Sequence, residues 1–145
     1  KFLEEITTGG ETNARESFKT YCTETRRRGL AVIISDFFDN AGFQSGLDIL
    51  RHFRHDMFIL HIASHEEVDP ALKGELVLVD SENQVSREVT VTPSLLASYK
   101  TEYSRFCTDI ESYCNKYQLG YVRTVTDFPF EELVLKVFRQ GRFLK

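Results

Sequence analysis

Apolar positions along this chain switch between a helical period and continuous runs. From residue 12 to residue 28, Ala14, Phe18, Tyr21 and Cys22 recur at helical spacing, with Thr12 as the cap and Arg15 and Glu16 in the first turn. Residues 29–39, GLAVIISDFFD, then pass through five apolar positions rich in β-branched side chains, a run that suits a parallel strand covered on both faces. Asp39, Asn40, Gly42 and Gly46 mark a loop, residues 47–53 a short helix, and DMFILHIAS a second buried strand. SHEEVDPALKG reads as a loop. ELVLVDSENQVSREVTV reads as two alternating strands around a polar turn at residues 80–83, a hairpin expected at a sheet edge. Thr92 and Pro93 predict the cap and first residue of the longest helix, which reaches about Gln118. Leu96, Tyr99, Tyr103, Phe106, Ile110, Tyr113 and Tyr117 form its core-facing stripe. Gly120 ends that helix, YVRTVT gives a third strand, and Asp127, Pro129, Glu131 and Glu132 open a final helix.

This order predicts an α/β fold: a three-layer sandwich with a mostly parallel sheet, crossover helices and an added β-hairpin. A chain of 145 residues sustains one core, so residues 1–145 are read as a single domain without internal repeats. Its 41% hydrophobic and 28% charged residues place it among folded globular proteins rather than disordered chains. A net charge of −4 argues against nucleic acid, and the one basic cluster, Arg26, Arg27 and Arg28, is expected in the last turn of the first helix. Three cysteines without a CxxC pair fit reduced thiols and a cytoplasmic setting. No run approaches the roughly 18 apolar residues of a membrane span. The chain opens on Lys1 rather than Met and is read as a piece of a longer protein or as one whose leader has been removed.

Candidate chemistry begins at Asp36. In open α/β sheets ligands bind at the carboxyl ends of the strands, and Asp36 stands at such an end. It reads equally as a rim group for ions or phosphates and as a cap for the loop that follows. His52, His55, His61 and His65 fall on different elements, so a shared zinc site is not expected from them. Cys107 and Cys114 are seven apart on one helix, where a small apolar residue suffices. Neither a GxSxG elbow nor a GxxxxGK[ST] loop is present.

Four segments carry a resemblance. RRRGLAVIISDFFD, LRHFRHDMFILHI, GELVLVDSE and LGYVRTVTDFPFEELVLKVFRQ, in that order, closely resemble the C-terminal part of the bacterial domain-of-unknown-function family 58. Members of that family contain a domain similar to the von Willebrand factor A fold. The resemblance covers nearly the whole chain, and its most specific pieces are the basic-Gly-apolar-Ser-Asp strand and the Tyr-Val-x-x-x-Thr-Asp-x-Pro-x-Glu-Glu segment. It implies a parallel sheet of strand order 3-2-1-4-5-6 and a metal-ion-dependent adhesion site. That site takes a D-x-S-x-S motif, a loop Thr and an Asp after the fourth strand, which by position match Thr12 and Asp36 here. Such oxygen ligands imply Mg²⁺ in a complete domain. No D-x-S-x-S occurs in this chain, so the resemblance implies a C-terminal portion without its N-terminal strands. The resulting expectations are no cofactor, no ordered metal on Thr12 and Asp36 alone, and a bare strand edge at residues 30–37 that recruits a second copy.

The function implied is a non-enzymatic protein-interaction module, an adaptor or accessory protein working with a MoxR-type AAA+ ATPase in complex assembly or maturation. The residues leave one alternative open, an Mg²⁺-dependent phosphoesterase that gathers Asp36, Asp39 and Asp127 at the carboxyl edge of the sheet.

Overall fold

A computed structural model describes residue 5 and residues 13–25, 27–39, 42–80 and 84–140. Helix α1 (Ala14–Glu24) begins where the Asn13 side chain accepts a hydrogen bond from the Glu16 amide at 3.0 Å. Asn13, not Thr12, is thus its cap, and Thr12 lies outside the described residues. The helix stops at Glu24, earlier than its apolar spacing suggests, and Thr25 is already extended. Thr20, Thr23 and Thr25 crowd this end with residues that favour helices poorly. Arg27 and Arg28 therefore fall in the connection that follows rather than in the last turn, and Arg26 is outside the described residues.

Strands β1 (Leu30–Ser35) and β2 (Asp56–Ala63) flank α2 (Phe43–His52), which starts four residues earlier than its apolar pattern indicates because Gly42, at φ 78°, turns the chain into it. The segment after β2, expected as a loop, contains one helical turn, α3 (His65–Val68), closed by a capping box between Ser64 and Glu67. The hairpin β3 (Gly74–Val79) and β4 (Ser86–Val91) follows, then α4 (Pro93–Lys116), β5 (Gly120–Val125) and α5 (Phe130–Gln140). The main sheet is parallel with the order β1-β2-β5. The hairpin forms its own antiparallel pair and does not extend an edge of that sheet. Its strands are largely exposed, so it gains little by docking laterally.

Two cores lie on opposite faces of the sheet. Cys22, Leu47 and Leu50 from α1 and α2, with Ile110 and Cys114 from α4, pack on Ile33, Met57 and Ile59. On the other face Leu133 and Val137 of α5 cover Phe58, Leu60 and Val122. Gly120 belongs to this second layer: a Cβ there would lie 2.4 Å from the Phe58 ring, so its role is close packing within β5 rather than ending α4.

The end of α4 falls instead on Gln118, which adopts φ 56° while the Leu119 amide reaches back to the Cys114 carbonyl at 2.9 Å. This closing geometry favours glycine at the left-handed position. Gln118→Gly is expected to stabilise the protein by about 0.5–1 kcal/mol, read as a higher urea midpoint at unchanged slope.

Candidate functional site

The carboxyl ends of the three parallel strands form a rim. Ser35 ends β1 and Asp36 follows it, Ser64 and Glu67 follow β2, and Thr126 follows β5, and together they line a shallow cavity of about 300 Å³. The chain turns sharply at Phe37, which takes the left-handed φ of 64°. That turn sends the buried Phe37 ring back against Phe43 and His61 and leaves the Asp36 side chain exposed. Asp36 is where a rim group should be. It also caps locally, since its Oδ1 accepts from the Phe38 amide at 3.1 Å.

The neighbouring acids are engaged elsewhere. Asp39 Oδ2 accepts from the Ala14 amide at 2.9 Å, fastening the start of α1 to the loop after β1. Asp127 pairs with the His65 imidazole at 2.8 Å. Neither lines the cavity beside Asp36, so the three carboxylates do not converge there. Ser64 and Glu67 serve each other in the α3 cap.

The described residues contain no group of three or more His, Cys, Asp and Glu able to hold a metal ion. Among the described residues Asp36 brings a single carboxylate to this rim, and the Ser35 and Ser64 hydroxyls beside it accept from backbone amides. Cys22, Cys107 and Cys114 are buried free thiols. Burial pushes Cys114 up to about 12 and raises Cys22, so both stay protonated and weakly nucleophilic.

Sequence reasoning missed His61. This histidine is 1% exposed, set in β2 directly beneath the rim, with the Phe37 and Phe106 rings edge-on at 5.6 and 6.1 Å. Its Nδ1 lies 3.1 Å from the Tyr121 hydroxyl. Burial, reinforced by Arg123, lowers it to about 4. Neutral His61 thus ties β2 to β5 beneath the rim. The signal available in the sequence was a lone polar residue within an apolar run.

An exposed apolar row also begins at this rim. Among the described residues β1 is paired on one side only, and Leu30, Val32 and Ile34 are 51%, 53% and 63% exposed on the face that α5 leaves bare. This corrects the expectation of a strand covered on both faces: among the described residues α5 reaches only β2 and β5. Between the outer edge of β1 and α1 runs a groove of about 630 Å³.

The sequence profile of the family described as protein of unknown function DUF58 matches residues 4–107. An uncharacterized protein of Mycobacterium avium is 37% identical over 70 residues, which are 48% of this chain and 41% of that protein. Uncharacterized proteins of Mycobacterium bovis and Mycobacterium tuberculosis are each 36% identical over 70 residues, 48% of this chain and 22% of theirs. The match therefore spans less than half the length of each of these relatives. No solved structure matches the chain. No helix among the described residues is long and apolar enough to cross a membrane. With its profile match over more than half its length, the chain belongs to the DUF58 family of proteins of unknown function.

Proposed function

We propose that this protein is a non-enzymatic interaction module of the von Willebrand factor A type that works with a MoxR-type AAA+ ATPase in the assembly or maturation of other complexes. The observation that carries the reading is β1: an apolar, one-sided strand whose outer edge is unpaired among the described residues, followed by an exposed carboxylate. Such a surface serves pairing better than catalysis. The parallel order β1-β2-β5 supports the fold assignment, since it agrees with the last three strands of the order that assignment requires. Three buried thiols support a cytoplasmic setting.

The edge of β1 is also suited to a second copy of the chain. In a two-fold antiparallel pair centred on Val32, Leu30 meets Ile34 of the other copy and Arg28 meets Asp36. Apolar residues meet apolar ones, and opposite charges close both ends. Self-association through this edge is part of the proposal.

Capture of a MoxR-type ATPase by the immobilised protein tests the reading of the rim. Binding is expected for the wild type and a loss of at least tenfold for Asp36→Ala, with an unchanged circular dichroism spectrum. Undiminished capture by Asp36→Ala removes Asp36 from the interface. Asp36-dependent hydrolysis of a phosphodiester would favour the phosphoesterase instead.

A further inference from the structure

Another groove, of about 590 Å³, borders β5 on the side away from β2, a volume in the range of small-molecule sites. Lys100 and Tyr103 of α4, Arg123 of β5 and Lys136 of α5 contribute its polar walls. Three cations thus line one groove of a chain whose net charge is −4. Asp69 is the carboxylate among the lining residues, and it is paired with Lys100. Among the described residues, neither Arg123 nor Lys136 forms an ion pair.

Of the remaining two cations, Lys136 is held in place. Lys136 Nζ donates to the Arg123 carbonyl at 3.3 Å and lies 5.8 Å from the Phe128 ring centre. Tyr103 supplies the second, independent sign of a ligand: it is 9% exposed, yet its buried hydroxyl has no hydrogen-bond partner. The nearby Cys107 sulfur is a weak acceptor and does not meet hydrogen-bond geometry with it. A buried hydroxyl left unsatisfied is costly and calls for a partner. Burial also raises the phenol above its ordinary value, so it remains an O–H donor.

We propose that this groove binds the oxyanion group of a small molecule, a phosphoryl or carboxylate group, held by the Arg123 guanidinium, the Lys136 ammonium and the Tyr103 hydroxyl. Arginine's planar fork matches either oxyanion. An added peptide strand fits less well, because Lys136 already occupies the Arg123 carbonyl.

Nuclear magnetic resonance titration of the protein with inorganic phosphate, and separately with succinate, tests this. Saturable shifts centred on Arg123 and Lys136, with an affinity tighter than about 1 mM for at least one probe, are expected. Arg123→Met should weaken that binding about tenfold or more, and Tyr103→Phe, which keeps the ring stacked on Tyr99, about threefold to tenfold. A response to phosphate alone identifies a phosphoryl ligand, to succinate alone a carboxylate, and to both a general oxyanion site. No saturable shift with either probe overturns the proposal. So does unchanged binding by both Arg123→Met and Lys136→Met, each with a native thermal midpoint.

Discussion

Val32→Lys is expected to keep the protein monomeric under conditions where the wild type sediments as a dimer. Val32 is half exposed at the centre of β1, on the uncovered face and beside the unpaired edge. In the two-fold pairing it lies opposite itself, so lysine would place two ammonium groups against each other while removing apolar area. Lysine is also a common protection for sheet edges in natural proteins. The dimer should weaken at least about tenfold, equivalent to roughly 1.4 kcal/mol. Because the side chain makes few contacts within the monomer, folding stability should change by less than about 0.5–1 kcal/mol. Sedimentation velocity across a concentration series, paired with urea unfolding, separates the two effects. A wild type that remains monomeric throughout would remove self-association from the account and leave the edge to a different partner.

A second large effect concerns acid. The folded protein holds His61 at about 4, whereas an unfolded histidine titrates near 6.5. Between these values the unfolded chain binds a proton that the folded one refuses. Stability is therefore fully present above about pH 6.5 and is lost as pH falls toward 4, by on the order of 2–3 kcal/mol. Urea unfolding at pH 7 and at pH 4.5 should show this loss in the wild type. His61→Gln, which keeps a polar group facing Tyr121, should be less stable at pH 7 but should lose markedly less across the same interval. Equal losses in the two proteins would mean that carboxylates, not His61, govern the acid limb. The consequence reaches the rim, because the Phe37 ring packed edge-on against His61 directly follows Asp36.

Much of the fold was legible because its elements carry local signals. Thr92 and Pro93 announce α4, and the Thr92 side chain does accept from the Leu95 amide. The two alternating strands of the hairpin and the apolar run of β2 were likewise read at nearly their observed bounds. The misreadings arise where tertiary context decides. A continuous apolar run does not distinguish a strand covered on both faces from β1, where only Ala31, Ile33 and Ser35 turn toward the helices. The break of α4 was assigned to Gly120 because glycine is the usual left-handed residue, yet Gln118 takes that conformation and the glycine is needed against Phe58. The place of the hairpin relative to the sheet depends on contacts distant in sequence, and no local pattern encodes it.

The candidate site divides in the same way. Asp36 at the end of β1 follows from strand direction alone, and the side chain is found there, exposed. What the sequence left balanced, rim group or local cap, the geometry gives as both: one oxygen receives the Phe38 amide at a position open to a partner. Thr12, its expected companion, lies outside the described residues, but the adjacent Asn13 lines the groove that Asp36 and Asp39 share. His61 was weighed only as a zinc ligand and set aside because the four histidines fall on different elements. Its contribution depends on Tyr121, 60 positions away, and on the backbone turn at Phe37.

Amide hydrogen exchange along β1, followed as protein concentration rises, is the most direct measurement of whether this strand is a pairing surface. The account predicts that β1 amides which do not donate to β2 exchange rapidly in dilute solution and become protected as the protein associates, with Val32→Lys abolishing the change. Exchange at those positions that is already slow in the dilute monomer, or that stays fast while the protein associates, would contradict it.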